Sequence, residues 1–170
     1  LHAEQIISTL METVIDLAEH PLQVNKLEGD AALLYREWEQ GDTAVARNVF
    51  AQVHASFPAF YDCIAKQRER RANCTCEACT NIDNLALKAF VHSGEIAIKQ
   101  VRQFEELAGE DVILIHRLLK NHVPSRDYVL ITEAARASAG LDTETLQSHL
   151  EDMEGAGETR LWLTNSTRMQ

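Results

Sequence analysis

The stretch Val-Asn-Lys-Leu-Glu-Gly-Asp-Ala-Ala-Leu-Leu-Tyr-Arg-Glu, at residues 24–37, decides the fold of the region around it. Two runs rich in apolar residues flank the pair Gly29-Asp30. Glycine tolerates the positive φ of a tight turn and aspartate bonds to the nearby backbone, so the pair is typical of a β-hairpin. Two interpretations of Asp30 remain open. It is a plain hairpin tip, or it is a carboxylate at the end of a sheet that helps to bind Mg²⁺.

The composition of the 170 residues limits the class of protein. An apolar fraction of 45% is enough for one domain with a substantial core. A net charge of −10 favours solubility and argues against broad nucleic-acid binding, which requires a basic surface. No apolar run reaches the ~18 residues of a membrane span, and the first residues lack the pattern of a signal peptide. We therefore expect a cytoplasmic protein that binds neither nucleic acid nor membrane.

Helical and strand-like patterns alternate along the chain in the order helix, hairpin, helix, hairpin, helix, strand, helix, strand. This order predicts an α+β fold in which helices pack on one face of a mainly antiparallel sheet. The second hairpin is predicted over residues 85–101, with its turn at residues 93–95. Pro58 is expected to kink or restart the second helix near Ser56.

Toward the C-terminus, the pattern predicts a helix that is capped at Thr132 and ends at Gly140. A further helix is expected from Asp142 to about Leu150. Two glycines in residues 151–158 indicate a mobile connection, and the last strand is predicted over residues 159–164.

The whole chain is expected to form a single domain over residues 1–164, followed by a tail of residues 165–170. A polar, cysteine-bearing insert is predicted as a loop at about residues 68–84. The chain begins within a helical pattern that no strand precedes, so the first strand of the fold is expected to be missing from the sequence.

Four cysteines suggest a metal site. Cys74, Cys76 and Cys79 lie within six positions, and Cys63 precedes them by eleven residues. Four thiolates complete a tetrahedral structural zinc site, and a reducing compartment disfavours disulfides. His54 is a weaker candidate for the fourth ligand. An iron–sulfur cluster and reduced thiols on a flexible loop remain the alternatives.

Three segments resemble the class III nucleotidyl cyclases. Residues 26–31, Lys-Leu-Glu-Gly-Asp-Ala, resemble the Lys-x-x-Gly-Asp-Ala hairpin of those enzymes. Residues 91–96, Val-His-Ser-Gly-Glu-Ile, are similar to their His-x-Gly-Glu strand and turn, and residues 109–118 to their Gly-x-x-Val-Asn-x-Ala-x-Arg-Leu helix. The resemblance covers roughly residues 6–164 and implies a ferredoxin-like cyclase fold.

A narrower resemblance points to one bacterial family. The Glu-Gly-Asp hairpin, the Cys-x-Cys-x-x-Cys insert and the helix sequence Asp-Val-Ile-x-x-His-Arg-Leu-Leu-Lys-Asn resemble DUF2652, an uncharacterised family. That family looks like a divergent branch of the cyclase-homology fold.

The cyclase resemblance implies roles for individual residues. Asp30 matches the second of two carboxylates that bind Mg²⁺ or Mn²⁺, and the first would lie in the missing strand. Lys26 and Glu106 match the residues that contact the purine. Arg117 matches the arginine that stabilises the transition state, whereas Ile113 stands where the family has an asparagine that orients the ribose. The chain thus lacks the first metal-binding carboxylate and the asparagine that orients the ribose. Each loss costs on the order of 10²–10³ in rate, so little cyclase activity is expected.

Three functions follow as alternatives. The resemblance implies a homodimer, because cyclase sites form between two protomers. The leading hypothesis is a degenerate domain that binds a purine nucleotide or serves as a regulatory or dimerisation module. The second is an active cyclase that makes a cyclic nucleotide from ATP or GTP, and the third is a protein-interaction module with a zinc-stabilised loop.

Overall fold

The computed structural model describes residues 1–18 and 22–165, which form two compact units. Unit 1 comprises the described residues of 1–37 and 49–87, and unit 2 comprises residues 38–48 and the described chain from 88 onward. The single domain expected over residues 1–164 stays a prediction. Most of the predicted tail, residues 166–170, lies outside the described residues, as does Pro21.

Unit 1 is built on two helices and one hairpin. Its core contains Ile6 and Leu10 of the first helix and Phe60 and Ile64 of the second, all of which are buried. The elements are α1 (His2–Ala18), β1 (Gln23–Glu28), β2 (Ala31–Tyr35), the part of α2 (Thr43–Arg70) that begins at residue 49, α3 (Glu77–Thr80) and a 3₁₀ turn, Ile82–Asn84.

The first predicted hairpin is confirmed. Strands β1 and β2 pair in antiparallel fashion, with Glu28 opposite Ala31. Gly29 has φ +64°, a left-handed conformation that glycine adopts without steric cost. The local turn chemistry was therefore sufficient to predict this element.

Two predictions for the middle of unit 1 are corrected, the restart of the second helix near Ser56 and the loop at residues 68–84. Helix α2 runs without a break through Pro58, and the Ser56 hydroxyl donates to the Val53 carbonyl at 2.6 Å. The flanking Phe57 and Phe60 are buried, and that burial offsets the hydrogen bond that proline cannot make. The predicted loop at residues 68–84 is instead largely ordered as the end of α2, as α3 and as the 3₁₀ turn.

Unit 2 contains a mixed four-stranded sheet. Its strands follow the order β3-β6-β8-β7, in which β3 and β6 are parallel and the other two pairings are antiparallel. The central strand β6 is buried at all five positions. The elements are β3 (Lys88–Val91), β4 (Ala97–Val101), β5 (Phe104–Ala108), α4 (Glu110–Leu118), β6 (Tyr128–Thr132), α5 (Glu133–Ala139), β7 (Gln147–Met153) and β8 (Gly157–Thr164).

The second predicted hairpin is wrong. Strand β3 pairs with β6, and the antiparallel hairpin forms between β4 and β5, with Val101 opposite Phe104. Helix α4 holds the segment where the turn was expected, because the Glu95 N–H donates to the carboxylate of Asp111 in that helix at 2.7 Å. Tertiary contacts of α4 thus override a local glycine signal at Gly94.

The helix predicted from Asp142 is also wrong. Only one 3₁₀ turn, Thr143–Thr145, forms there, capped by the Asp142 side chain, and β7 follows. Residues 151–158, expected to be mobile, form the end of β7, the turn and the start of β8. The inward positions of β7 alternate with period two, as in a strand with one buried face.

Several other predictions are confirmed. Helix α5 is capped by Thr132, whose side chain accepts from the Ala135 N–H, and it ends at Gly140 in the left-handed conformation. The last strand forms, and the α+β class holds, with four antiparallel pairings and one parallel pairing among the described strands. Among the described helices, none combines the length and apolar character needed to cross a bilayer. The ferredoxin-like cyclase arrangement and the missing first strand stay predictions.

The packing of Gly94 gives a test of the β3–α4 connection. A Cβ at Gly94 would lie 2.2 Å from Asp111 Cγ, whereas a Cβ at Gly29 would meet nothing within 4 Å. Gly94→Ala should therefore lower the free energy of unfolding by about 1–3 kcal/mol through overpacking. The matched variant Gly29→Ala adds only left-handed backbone strain, about 1 kcal/mol. Urea denaturation of both variants measures the difference, and equal losses would contradict the contact.

Candidate functional site

The sulfur atoms of three cysteines and one imidazole nitrogen meet in unit 1. His2, Cys74, Cys76 and Cys79 each place one ligand atom within 4.8 Å of all the others. His2 Nδ1 lies 3.3 Å from Cys74 Sγ, 3.4 Å from Cys76 Sγ and 3.5 Å from Cys79 Sγ. The Cys74 and Cys76 sulfurs are 3.5 Å apart. We call these four residues the thiol–imidazole cluster.

Local backbone structure sets the positions of the three sulfurs. Cys76 is the N-cap residue of α3, and its carbonyl accepts from the Cys79 N–H at 3.0 Å. The Cys74 N–H donates to the Arg71 carbonyl at 2.9 Å just after α2 ends. Cys79 is buried in the same core as Ile6 of α1, the helix that begins with His2. Packing of α1 therefore brings the imidazole to the sulfurs.

The spacing of the cluster fits a tetrahedral metal ion. Zinc–ligand bonds of ordinary length imply edges of about 3.8 Å between sulfurs and about 3.6 Å between sulfur and nitrogen. The distances of 3.3–3.5 Å are close to these edges, and 3.5 Å between Cys74 and Cys76 is far longer than a disulfide bond. The thiol–imidazole cluster could thus hold a metal ion such as zinc.

The cysteine protonation states differ within the cluster. The Cys79 N–H, with hydrogen bonds from His2 and Cys74, lowers the pKa of the Cys76 thiol to about 6. Burial, followed by hydrogen bonds with Cys76 and Cys74, raises the pKa of Cys79 to about 12. Three thiolates at this separation repel one another, and a bound dication would relieve that repulsion.

The thiol–imidazole cluster does not include Cys63, which the sequence suggested as the fourth ligand. Its side chain is 8% exposed within the core formed by α1 and α2, and it is not among the cluster members. His54, the weaker candidate, is also outside the cluster, and burial lowers its pKa. The position of Cys63 between Phe60 and Ile64 on the apolar stripe of α2 was the signal that it belongs to the core. His2 was missed because 72 residues separate it from Cys74.

The predicted nucleotide residues of unit 1 lie on the first hairpin. Asp30 is exposed in the turn between β1 and β2. Lys26 is half exposed on β1 and forms an ion pair with Glu28 at 2.6 Å. Their proposed roles in metal and purine binding stay predictions.

The other predicted nucleotide residues lie in unit 2. Glu106 is exposed on β5, opposite Lys99. Arg117 is exposed on α4, and Ile113 of the same helix is 52% exposed. Their roles at a purine or a phosphate also stay predictions.

A cleft of about 520 Å³ lies within unit 2. The Arg117 guanidinium packs over the β7–β8 turn, where a Cβ at Gly155 would lie 2.9 Å from Arg117 Nη1. Gly155 therefore leaves the space that this guanidinium occupies. The cleft lining is formed by one face of α4 and the turn after it, with the end of β7: Val112, Ile113, His116, Arg117, Leu118, Lys120, Glu151, Asp152, Met153 and Glu154.

A buried carboxylate on β7 is held by two histidines. Glu151 Oε1 is 2.5 Å from His122 Nδ1, and Oε2 is 2.9 Å from His149 Nε2. The His122 backbone N–H also donates to Oε2 at 3.0 Å. Burial acts to raise the pKa of Glu151, but the hydrogen bonds from His122 and His149 outweigh it and lower the pKa to about 2. Glu151 is therefore ionised at neutral pH.

A second carboxylate and imidazole pair connects three elements of unit 2. His92 Nε2 lies 2.7 Å from Asp111 Oδ1, and His92 Nδ1 lies 2.8 Å from Thr132 Oγ1. Burial acts to raise the pKa of Asp111, but hydrogen bonds from His92 and the Glu95 N–H outweigh it and lower that pKa. Thr132 is buried and caps α5, so this network positions β3, α4 and α5 rather than presenting a hydroxyl to solvent.

Comparison with known proteins identifies the family. Residues 7–128 match the model of a family described as "Protein of unknown function (DUF2652)". The chain belongs to the DUF2652 family. It is also 36% identical over 154 residues to the uncharacterized protein Rv2561/Rv2562 of Mycobacterium tuberculosis, an alignment that covers 90% of this chain and 70% of that protein.

The family match includes some of the site residues of this DUF2652 chain and leaves out others. The matched residues include the three clustered cysteines and Asp111. His2 precedes the match, and β7 with Glu151 follows it. The narrower resemblance that the sequence suggested is thus confirmed, whereas the link to the cyclase fold stays a prediction.

The buried Glu151 of this DUF2652 chain gives a pH prediction. Because its folded pKa is about 2 against an ordinary 4.5, the stabilisation is complete above pH 4.5 and is lost as pH falls toward 2. Glu151→Gln should lower the free energy of unfolding at neutral pH by about 2 kcal/mol. The gap between this variant and the wild type should close at low pH.

Urea denaturation at a series of pH values measures that gap. Glu154→Gln, on the exposed β7–β8 turn, is the matched control and should leave the profile unchanged. A gap that stays constant down to pH 2 would contradict the assignment.

Proposed function

We propose that this chain binds one zinc ion through His2, Cys74, Cys76 and Cys79, and that the zinc is structural. The observation that supports this proposal is the convergence of four soft ligand atoms within 4.8 Å in unit 1. Three thiolates and one imidazole form a common closed donor set for structural zinc, without the open position that catalytic zinc keeps. Soft thiolates disfavour Mg²⁺ and Ca²⁺, which prefer oxygen ligands.

The role of the zinc follows from the elements that its ligands occupy. His2 lies in the first turn of α1, Cys74 and Cys76 precede α3, and Cys79 lies within α3. One ion would therefore hold the start of α1 to a segment 72 residues away in sequence. Because α3 has only four residues, its own backbone hydrogen bonds would not stabilise it, and the metal would add the necessary constraint.

The zinc proposal predicts about one equivalent of zinc in protein purified without added metal. Cys79→Ser should reduce bound zinc to less than about a tenth of an equivalent and lower the melting temperature, because the ligand set is incomplete. Cys63→Ser is the matched control and should keep its zinc, since that thiol is not part of the cluster.

Metal analysis by mass spectrometry and thermal melting measure these outcomes. Iron and acid-labile sulfide in place of zinc would instead favour an iron–sulfur cluster. Zinc-free wild-type protein with four titratable thiols would contradict the proposal.

A second candidate function is the binding of a purine nucleotide without turnover. The Arg117 guanidinium and Lys120 at the cleft of unit 2 support this candidate, because both can bind phosphate oxygens. The exposed Ile113 supports the absence of turnover, since an alkyl side chain cannot make the ribose hydrogen bonds of an asparagine. A homodimer and a regulatory role belong to the same candidate.

This candidate predicts that millimolar ATP or GTP with Mg²⁺ or Mn²⁺ raises the melting temperature of the zinc-loaded protein. Arg117→Ala should remove most of that shift, while Arg102→Ala, on the exposed β4–β5 turn, should keep it. No cyclic nucleotide should form. Formation that depends on Asp30 would favour an active cyclase instead, and no shift with either nucleotide would favour the protein-interaction module.

A further inference from the structure

His122, Glu151 and His149 form a relay of three side chains in unit 2 that neither proposed function uses. Glu151 Oε1 contacts His122 Nδ1 at 2.5 Å, and Oε2 contacts His149 Nε2 at 2.9 Å. A nucleophile, a base that contacts it, and a third group that orients the base are the general arrangement of an activated nucleophile. The three side chains match that arrangement in the order His122, Glu151, His149.

The burial of Glu151 fixes the geometry of its contact with His122. Its side chain is 6% exposed, and its two oxygens accept from two imidazoles and one backbone N–H. A buried carboxylate that is fixed by three donors has little freedom to rotate. The contact with His122 therefore has a defined geometry.

The protonation of His122 follows from this contact. An ionised carboxylate can only accept hydrogen bonds, so Nδ1 of His122 must carry the hydrogen. In the neutral imidazole, the lone pair is then on Nε2. The His122 side chain is 87% exposed, which leaves that nitrogen open to a reagent.

The other described histidines lack this combination. His116 donates from Nδ1 to the Val112 carbonyl at 2.7 Å, not to a carboxylate, and it is only partly exposed. His92 has both ring nitrogens bonded and is 9% exposed. His2 lies in the thiol–imidazole cluster, and His54 is partly buried with its Nε2 enclosed. His149 is 21% exposed and uses Nε2 to hold Glu151.

We propose that His122 is a phosphoryl-accepting histidine whose Nε2 attacks small phosphoryl donors of the phosphoramidate or acyl phosphate class. The Nε2 lone pair forms the N–P bond, and the bond from phosphorus to the leaving ammonia or carboxylate breaks. Attack leaves a positive charge on the ring, which the Glu151 carboxylate stabilises through the Nδ1 hydrogen. With a phosphoramidate donor, the leaving nitrogen departs with a proton taken from water.

The cleft beside Glu151 supports the choice of a phosphoryl group. Glu151, which His122 contacts at 2.5 Å, lines this cleft together with Arg117 and Lys120, so His122 lies one side chain away from the lining. Cationic side chains close to a transferring phosphoryl group stabilise the charge on its oxygens. The inference does not depend on zinc or on a purine nucleotide.

The test uses the full chain as purified, with potassium phosphoramidate at neutral pH. Intact mass should show one added phosphoryl group that is stable in alkali and lost in acid. Fragmentation should place this group on His122, and phosphorus NMR should assign it to Nε2. A synthetic peptide of residues 118–126 is the matched control for unassisted reactivity. We expect the folded chain to react about tenfold to a hundredfold faster than this peptide, because a positioned carboxylate stabilises the charge that develops on the ring.

Two variants complete the test. His122→Asn keeps an N–H donor for Glu151 but removes the nucleophile, and it should abolish the fast reaction while leaving the melting temperature nearly unchanged. Glu151→Gln should slow the reaction toward the rate of the peptide. If Glu151→Gln fails to fold, the comparison of the wild type with the peptide and with His122→Asn still tests the proposal. Equal rates for the folded chain and the peptide, or a fast reaction that persists in His122→Asn, would overturn the proposal.

Discussion

Three sulfur atoms and one imidazole nitrogen at 3.3–3.5 Å impose the strongest chemical constraint on unit 1. Thiolates at that separation repel each other, while protonated thiols would leave a polar group buried at Cys79 with weak partners. A metal ion would satisfy both requirements. The short helix α3, the buried Ile82 and helix α1 all lie beside this cluster. The order of this part of the chain therefore depends on what relieves the repulsion between the thiolates.

Unit 2 meets a related constraint through hydrogen bonds to its carboxylates. Asp111 and Glu151 are carboxylates with lowered pKa values, and each is compensated by imidazoles and a backbone N–H. The Asp111 network holds the segment after β3 against α4, which is why the glycine in that segment must lack a side chain. The Glu151 network instead leaves one imidazole, His122, almost fully exposed. The same chemistry therefore gives a structural connection in one place and a reactive group in the other.

Local signals predicted the elements whose conformation is decided within a few residues. The Gly29-Asp30 turn and the Thr132 cap of α5 are examples, because their hydrogen bonds and φ angles involve only near neighbours. The same kind of signal failed at Gly94, where a carboxylate from α4 occupies the space beside the glycine. It failed again after Asp142, whose cap begins a single turn before the chain enters β7. In the first case α4 determined the outcome, and in the second the pairing of β7 with β8 did so.

The sequence by itself determined the family, the α+β class, the first hairpin and the three cysteines of the cluster. These features depend on residue type and short spacing. Only the tertiary structure decided that His2 rather than Cys63 joins those cysteines, and that Glu151 lies between two histidines. Burial of an apolar helix stripe and the alternation of side chains along a strand place these groups. His2 lies 72 residues from Cys74 and His122 lies 29 residues from Glu151, and partners so far apart leave no periodic signal between them.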